Sequence, residues 1–327
     1  MQLLNHKKLH IVAGRATQEL ATAICRELDV PLGSPNIEEF ANGEIHVKYG
    51  ESIRGSDVFI VQTHAGWKGR SINDSIMEHL IMVDAAKRAS AKRITVVAPF
   101  YGYSRQDRKA SGREPITARL LADLFLAAGA DRLVSVDLHS GQIQGFFDGP
   151  VDHLTAMPVL IDWLSDLDDD DMVIVSPDAG RMKVAERYTN LLNADLAYVH
   201  KRRSAEEKNT VEAKEIIGHV EGRTCVLIDD MIDTGGTICA AAELLHEYKA
   251  KRIIIATTHG VFSGPAIDRL KNAPVETVLV TDTLPLDSEK QADKIHVLSV
   301  APIIARAISA VFEDTSVSEI FGGNHLA

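Results

Sequence analysis

The chain has 327 residues, 45% of them hydrophobic and 25% charged, and it carries a formal net charge of −11. This length and composition are typical of a folded protein with two domains, and the negative charge argues against non-specific nucleic-acid binding. No apolar run is long enough to cross a membrane and no signal core opens the chain, so we predict a cytoplasmic protein without membrane or nucleic-acid partners. Three cysteines without CxxC spacing are predicted to stay reduced.

Two stretches of the first half predict a strand, a helix and a second strand in succession. They are "GSDVFIVQTHAG" from Gly55 and "AKRITVVAPFYGYS" from Ala91, and similar stretches begin at Gly222 and Ala250. Gly222 follows Gly55 by 167 residues and Ala250 follows Ala91 by 159, so the first copy holds about eight more residues, which we assign to the loop "HAGWKGRSIND". The repeat predicts two duplicated α/β domains with mostly parallel sheets.

A basic loop with aromatic residues, "PFYGYSRQDRKASGREPI", follows the second of these strands. Its cations could neutralise a polyphosphate, and its tyrosines could pack on a base or inside the fold. They are Arg105, Arg108, Lys109 and Arg113, with Tyr101 and Tyr103. A solvated basic loop has the same composition, but a place after a strand, where ligands of α/β proteins collect, favours a binding site.

The next predicted strand ends near His139. A lone histidine is often structural, but a position just past a strand end also suits a ligand of a metal or a nucleotide. Gly149 and Pro150 then interrupt the pattern, so we place the domain boundary there, which gives domains 1–150 and 151–327.

The second domain opens with an acidic run, residues 165–171, that predicts a solvated turn before the strand "MVIVSP". Asp178 follows that strand, where an aspartate can hold Mg²⁺ directly or through water. The polar stretch from Lys201 to Gly218 lacks apolar rhythm. It predicts either a mobile loop that brings Lys201, Arg202 and Arg203 to a reaction centre or a plain surface connection.

The stretch "VLIDDMIDTGGTI", residues 226–238, joins two opposed features. A buried strand is predicted over 226–228 and a helix after the glycines, whose free N–H groups favour a phosphate. Asp229, Asp230 and Asp233 would repel a phosphate but can accept hydrogen bonds from a diol. An ordinary acidic turn has the same composition, but this order of elements favours a ribose 5-phosphate or phosphoribosyl site.

Motifs spread over essentially the whole chain resemble those of class I ribose-phosphate pyrophosphokinases (phosphoribosyl pyrophosphate synthetases). They are "FANGEIHVKYGESIRGSDVFIVQ", "GYSRQDRK", "VDLHSGQIQGFFDGPVDHL", "VSPDAG", "KRR", "DDMIDTGGT" and "SVAPIIARAI". The resemblance implies two phosphoribosyltransferase-like domains that transfer the β,γ-diphosphoryl group of MgATP to ribose 5-phosphate. The products would be AMP and phosphoribosyl pyrophosphate for nucleotide, histidine and tryptophan biosynthesis. It also implies a homohexamer built from dimers, and we expect the C-terminal segment to pack back on the N-terminal domain.

The resemblance implies a role for each matching residue. Ribose 5-phosphate is implied to contact Asp229, Asp230, Asp233, Thr234, Gly235, Gly236 and Thr237. ATP is implied to contact Arg105, Gln106, Asp107, Arg108 and His139, with Phe40, Asn42 and Glu44 supplied by a neighbouring subunit. Mg²⁺ is implied at His139 and Asp178, and catalysis at Lys201 and Arg203. An allosteric site with inorganic phosphate as activator matches Ser52, Arg54, Gln144, Asp152, Ser316 and Ser318.

The chain departs from the family pattern at four places. Arg181 stands where the family commonly has a second glycine, and "TGGT" replaces the frequent "TAGT", which a phosphate loop should tolerate. In addition, "SAEEKNTVE" replaces a proline-containing run after Arg203, and "GWKGR" is an unusual insertion. Two alternatives remain: a phosphoribosyltransferase, which shares "DDMIDTGGT", and a noncatalytic synthetase-associated subunit on the same scaffold. The motif "GYSRQDRK" and the second domain disfavour the transferase, and the presence of Lys201 and Arg203 disfavours the associated subunit.

Overall fold

The computed structural model of the chain describes residues 7–167, 169, 171–202 and 213–321. The elements of the first half are β1 (Leu9–Ala13), α1 (Gln18–Glu27), β2 (Leu32–Gly33), β3 (Asn36–Glu39), β4 (Ile45–Lys48), β5 (Asp57–Val61), α2 (Ile72–Arg88), β6 (Arg93–Ala98), α3 (Thr117–Ala128), β7 (Arg132–Val136) and β8 (Val151–Leu154). Those of the second half are α4 (Met157–Ser165), β9 (Met172–Ser176), α5 (Met182–Leu192), β10 (Asp195–Arg202), β11 (Ala213–Ile217), β12 (Thr224–Ile232), α6 (Gly236–Glu247), β13 (Arg252–Gly260), α7 (Ala266–Asn272), β14 (Thr277–Thr281), β15 (Ile295–Leu298) and α8 (Ala301–Glu313).

The described chain divides into two compact units, each built on its own sheet. The first takes in the residues up to Thr155 with 283–285 and 299–321, and the second takes in 156–282 and 286–298. In the first unit six parallel strands follow the order β2-β1-β5-β6-β7-β8, beside an antiparallel hairpin of β3 and β4. In the second unit the order is β11-β10-β9-β12-β13-β14-β15, parallel except for β11 against β10.

The central strands are largely buried because helices cover both faces of each sheet. All five residues of β5 and all five of β9 are buried. In β12, Val226 belongs to the core beneath α4 and α5, whereas its neighbour Leu227 belongs to the core beneath α6 and α7. This alternation follows from the two-residue period of a strand, so a shift of one residue would exchange the two cores.

The two sheets share one strand order, which confirms the predicted pair of duplicated α/β domains. Without β11, both follow the order second, first, third, fourth, fifth and sixth strand. Their register agrees with the sequence repeat as well, since Asp57 pairs with Arg93 in the first sheet and Thr224 pairs with Arg252 in the second. These are the positions related by 167 and 159 residues.

The eight additional residues of the first copy do not all lie in the loop, as the sequence analysis assigned them. The strand residue Ile228 corresponds to Val61, and from there to the next helix the first copy has ten residues and the second has seven. Helix α2 has 17 residues and α6 has 12, so the remaining five residues lengthen the helix. The longer helix is stabilised at its start by a capping box between Ser71 and Asp74.

Two stretches that were predicted to be irregular contain regular structure or internal contacts. Lys201 and Arg202 belong to β10, and Ala213–Ile217 forms β11, because antiparallel backbone pairing joins the two strands at the sheet edge. In the acidic run, Asp169 accepts a bond from the Thr224 hydroxyl (2.7 Å) and Asp171 accepts one from Arg223 (2.5 Å). These acids therefore bind the start of β12 rather than facing only water.

The last helix, α8, packs on α1 in the first unit. Arg93, at the start of β6, joins Asp57 of β5 to Asp314 just after α8, and Lys7 also contacts Asp314. In the part of the chain that the structure describes, no helix combines the length and the apolar character that crossing a bilayer requires.

Candidate functional site

The glycine loop joins β12 to α6 in the second unit. The predicted strand ended at residue 228, but β12 continues to Ile232 because its pairing with β13 continues, with Asp229 beside Thr257. Asp229 and Asp230 therefore lie on the strand, and only Asp233 lies in the turn. Gly235 adopts a left-handed conformation with φ of +73°, which a glycine reaches without steric cost, and α6 begins at the next residue.

The start of α6 has the chemistry of an anion site. The first N–H groups of a helix lack partners within the helix, and the helix dipole favours negative charge there. Thr234 and Thr237 are exposed beside these groups. Arg269 of α7 donates from Nη1 to the Thr234 carbonyl (2.9 Å), and a Cβ at Gly236 would lie 3.3 Å from the same Nη1. Arg269 was not predicted from the sequence, where the available signal was its place in the helix after the next strand.

The two strand acids lie against one guanidinium group. Arg181 Nη2 is 2.6 Å from Asp230 Oδ2, and its Nε is 3.4 Å from Asp229 Oδ1, which also accepts the Asp230 N–H at 2.8 Å. Burial and the neighbouring charge of Asp230 raise the pKa of the Asp229 carboxyl, although Arg181 opposes the shift. The two carboxylates of Asp229 and Asp230 repel each other, and Arg181 partly offsets this repulsion.

Asp178 fixes the turn that carries Arg181. Its Oδ1 accepts the backbone N–H groups of Gly180 (2.8 Å) and Arg181 (3.2 Å), and Ser176 Oγ donates to its carbonyl (2.6 Å). Mg²⁺ in proteins commonly uses one or two carboxylates together with phosphate oxygens rather than an all-protein cage. Among the described residues, no group of three His, Cys, Asp or Glu side chains could hold a metal ion by itself. Asp178 is a single carboxylate whose two backbone hydrogen bonds both go to Oδ1, and this arrangement is compatible with Mg²⁺ that is also bound by phosphate oxygens.

The cationic pair of the polar stretch is only partly described. Lys201 is the last residue but one of β10 and pairs in register with Lys214 of β11. Arg203 lies outside the described residues. The segment between the two strands therefore begins and ends at one edge of the second sheet.

In the first unit, the loop after β6 carries the predicted nucleotide residues. Arg105, Gln106 and Arg108 are exposed, whereas Asp107 is buried. The Gln106 side chain accepts a bond from the Thr117 hydroxyl (2.5 Å), which holds the loop on the first turn of α3. Asp107 Oδ2 accepts bonds from Ser140 Oγ (2.5 Å) and Gln142 Nε2 (2.8 Å).

Those two bonds bring the loops after β6 and β7 together. Because β6 and β7 are parallel neighbours, both loops leave the same edge of the sheet, and Ser140 directly follows His139. The structure thus places His139 on the loop tied to the one that carries Arg105 and Gln106. Asp137 has a left-handed backbone with φ of +39°, which for a residue with a side chain is a strained position of the kind found near sites.

The residues predicted to serve a neighbouring subunit form the tip of the β3–β4 hairpin. Phe40, Asn42 and Glu44 are exposed, and the Phe40 side chain is 58% accessible. The turn is closed by the Phe40 N–H to the Glu44 carbonyl (2.9 Å) and by the Glu44 N–H to Asn42 Oδ1 (3.2 Å). A large aromatic side chain held on a closed turn is suited to contact another molecule.

A buried network behind this hairpin was missed by sequence reasoning. Glu78 of α2 accepts two bonds of 2.6 Å from Arg15, one from its backbone N–H and one from Nε, and a third from Gln62 Nε2 (3.0 Å). Arg15 Nη2 also reaches Glu39 at the end of β3 (2.9 Å). Polar residues on the apolar face of α2, in "MEHLIM", were the available signal.

A second missed group is a pair of buried histidines, His64 and His79. His64 Nδ1 accepts the Gly102 N–H (3.0 Å), its Nε2 lies 3.2 Å from His79 Nδ1, and His79 Nε2 lies 3.1 Å from the Ile60 carbonyl. With His64 Nδ1 an acceptor, each ring carries its proton on Nε2 and donates along the chain. Burial lowers the pKa of both imidazoles, with His79 falling to about 3. This chain anchors the start of the loop that carries Arg105.

The residues of the predicted allosteric site lie on three segments of the chain. Ser52 and Arg54 line a cavity of about 410 Å³ with Tyr49 and Arg88. Gln144 and Asp152 flank His153, whose Nδ1 is 3.4 Å from Gln144, and Asp152 is ion-paired with Arg132. Ser316 and Ser318 follow α8 and contact each other at 2.8 Å.

Comparisons with known proteins agree over nearly the whole chain. Two family models match: the N-terminal domain of ribose phosphate pyrophosphokinase over residues 9–129, and the phosphoribosyl synthetase-associated domain over residues 212–322. Ribose-phosphate pyrophosphokinases of Streptomyces avermitilis (55% identical over 316 residues, 96% of each chain) and Corynebacterium efficiens (54% over 322 residues, 98% of each chain) are similar to it. The crystal structure of phosphoribosylpyrophosphate synthetase from Mycobacterium smegmatis has a TM-score of 0.87 and 51% identity, covering 94% of this chain and 100% of that one.

The histidine pair predicts how stability depends on pH. The unfolded chain takes up protons near pH 6.5, whereas the folded chain holds both rings neutral, so the free energy of unfolding should fall as the pH drops below about 6.5. His79→Gln should lessen that fall, by up to about 1.4 kcal/mol for each pH unit. Urea denaturation between about pH 5 and pH 7.5 measures the slope. His219→Gln, at an exposed position, should keep the wild-type slope, and an unchanged slope in His79→Gln would contradict the prediction.

Proposed function

Because the chain belongs to the ribose-phosphate pyrophosphokinase family, we propose that it transfers the β,γ-diphosphoryl group of MgATP to the 1-hydroxyl of ribose 5-phosphate. The observation that carries the proposal is the junction of β12 and α6. Two acids lie near the C-terminal end of β12, and three residues separate this strand from a helix that begins at a glycine. In the reaction the sugar O1 forms a bond to the β-phosphorus and loses its proton. The bond from that phosphorus to the α,β-bridging oxygen breaks, and AMP leaves with the oxygen.

The sugar phosphate site is built from one strand end and one helix start. The 5-phosphate lies on the backbone of Asp233, Thr234, Gly235, Gly236 and Thr237, with the Arg269 guanidinium beside it. Asp229 and Asp230 accept hydrogen bonds from the sugar hydroxyls. The support for this division is spatial, since the acids lie on the strand and the glycines lie at the helix.

The nucleotide site uses the exposed side chains of the first unit. Arg105, Gln106 and Arg108 contact the triphosphate, and Asp107 acts behind them by holding the His139 loop. The adenine-binding site is completed by Phe40, Asn42 and Glu44 from the β3–β4 hairpin of a second subunit, in a homo-oligomer built from dimers.

His139 of the first unit and Asp178 of the second would each serve as a Mg²⁺ ligand, and bound Mg²⁺ would neutralise phosphate charge. Lys201 and Arg203 supply positive charge to the transferred group as the bonds exchange. Three buried free thiols, Cys25, Cys225 and Cys239, fit a reducing cytoplasm, where we place the reaction.

The nucleotide product tests the reaction class. Incubation with ribose 5-phosphate and MgATP should release AMP in step with phosphoribosyl pyrophosphate, because both phosphates leave ATP together. Chromatography that resolves the nucleotides measures the ratio. Equal amounts of ADP and sugar product would indicate transfer of a single phosphate and contradict the proposal. An absence of turnover at every phosphate concentration would favour the noncatalytic associated subunit.

Lys201→Ala should lower kcat by about a hundredfold or more while KM changes little, because the lost charge acts mainly in the transition state. Lys201→Arg should restore only part of the rate, since a planar guanidinium does not replace a compact ammonium. Steady-state kinetics and a thermal melt measure the two effects, and the melting temperature should stay near that of the wild type. A near-normal kcat in the alanine variant would contradict a catalytic role for Lys201 and would indicate that the segment after β10 only connects two strands.

Shared adenine sites predict complementation between two inactive variants. Arg105→Ala removes one cation of the loop after β6, and Glu44→Ala removes the acid at the tip of the β3–β4 hairpin. Each homo-oligomer therefore lacks one of the two contributions to every adenine-binding site. Mixed oligomers contain some interfaces with both halves intact and should regain part of the activity. Subunit exchange, followed by mass spectrometry of the mixture, is the control. Confirmed exchange without regained activity would show that each chain completes its own site.

A further inference from the structure

Arg181 is a departure from the family pattern that brings a charged side chain into the sugar site. Its guanidinium spans both strand acids, at 2.6 Å from Asp230 and 3.4 Å from Asp229. The three side chains are largely buried, with 18% of Arg181, 20% of Asp229 and 7% of Asp230 accessible. An ion pair at this depth is screened little by water, so its charges matter to anything that binds there.

The backbone around Arg181 is held by hydrogen bonds, so the position of this side chain is better defined than that of an arginine on an exposed loop. Asp178 caps the short turn through the N–H groups of Gly180 and Arg181, and α5 begins at the next residue. Strands β9 and β12 are parallel neighbours, with Val175 beside Leu227. The residues that follow β9 therefore lie beside the last residues of β12, and Arg181 reaches the acids from that position.

The acids need a cation. Two adjacent carboxylates that are mostly removed from water repel each other, and each loses its hydration. Proteins meet this need with an arginine, a lysine or a bound divalent ion, and carboxylate oxygens are the ligands that hard divalent ions prefer. Arginine differs from a metal ion in one respect that matters here: it is part of the chain and is present at every stage of the reaction.

We propose that Arg181 is a built-in counter-cation that occupies the position beside Asp229 and Asp230 which a divalent ion would otherwise take. It is a positioning residue, because it acts by holding the two carboxylates for the sugar hydroxyls. The inference rests on the proposed ribose 5-phosphate site. Its consequence is that the affinity of the acid pair for the sugar does not depend on free divalent ions beyond those that accompany ATP.

Counting bound Mn²⁺ without any substrate tests the first half of the proposal. Arg181→Gln keeps a long polar side chain but removes the charge, so it should bind one more Mn²⁺ per chain than the wild type. Electron paramagnetic resonance of free Mn²⁺ gives the count. Arg181→Lys keeps the charge and should bind no more Mn²⁺ than the wild type. Lys183→Gln removes a positive charge from an exposed position two residues away and should also match the wild type.

The KM for ribose 5-phosphate at saturating MgATP tests the second half. In the wild type it should not change as free Mg²⁺ rises above the ATP concentration. In Arg181→Gln it should be raised roughly tenfold or more at low free Mg²⁺ and should fall as free Mg²⁺ increases, with kcat changed less. The charge-matched Lys183→Gln control should follow the wild type.

The outcomes separate this inference from the function on which it rests. Equal Mn²⁺ counts in the wild type and Arg181→Gln would overturn the counter-cation role, even in a fully active enzyme. A wild-type KM that falls with free Mg²⁺ as strongly as that of the variant would do the same. Absence of phosphoribosyl pyrophosphate in every form would instead overturn the sugar site, and the Mn²⁺ count would still decide whether Arg181 excludes a cation.

Discussion

Parallel pairing of β9 with β12, in which Val175 lies beside Leu227, sends both strands to the same edge of the second sheet. Every strand in a parallel sheet ends at one edge, so residues distant in sequence meet there without any special contact to guide them. Arg181 and Asp230 meet in this way, and so do the loops after β6 and β7 in the first unit. The single antiparallel strand of the larger sheet, β11, lies at its outer edge beyond β10 and leaves that order intact.

Corresponding positions of the two duplicated sheets hold different residues with different contacts. Gln62 and Thr63 follow β5 at the positions that Asp229 and Asp230 hold in the second copy. Gln62 donates to the buried Glu78, and Thr63 Oγ1 donates to the Thr283 carbonyl at 2.7 Å. A Cβ at Gly14 would lie 2.3 Å from the Gln62 amide, so a side chain there would displace Gln62 from its hydrogen bonds. In the first copy this strand end is therefore filled by internal hydrogen bonds, and the candidate nucleotide residues lie on the next two loops instead.

The fold could be predicted from sequence because its signals are local and repeated. Apolar β-branched runs separated by helical patterns predict parallel α/β sheets, and the internal repeat even gives the register, as the pairs Asp57–Arg93 and Thr224–Arg252 show. Boundaries were less predictable. The apolar run predicted a strand only over residues 226–228, before Asp229 and Asp230, but backbone pairing with β13 extends β12 over both acids. Likewise, five of the additional residues lengthen α2, where a helical pattern alone does not set the length.

The polar contacts behind the sites could not be predicted, because each joins residues that only the folded sheet brings together. Glu78 and His79 are adjacent on α2, yet one meets Arg15 after β1 and the other meets His64 after β5. The side chain of Glu78 is only 3% accessible and holds three bonds from Arg15 and Gln62. Breaking such a pair leaves a buried charge, which commonly costs about 3–5 kcal/mol, so it is suited to a permanent structural role.

The acid pair of the second unit is built differently. Arg181 is as accessible as Arg15, at 18% in both cases, but Asp229 remains 20% accessible and lies at the open edge of the sheet. A carboxylate that stays partly accessible to solvent can exchange a hydrogen bond from the guanidinium for one from a ligand hydroxyl and remain hydrogen-bonded throughout. Similar ion pairs thus lie at different depths in the two copies of the fold, and the more accessible pair is the one for which a binding role is proposed.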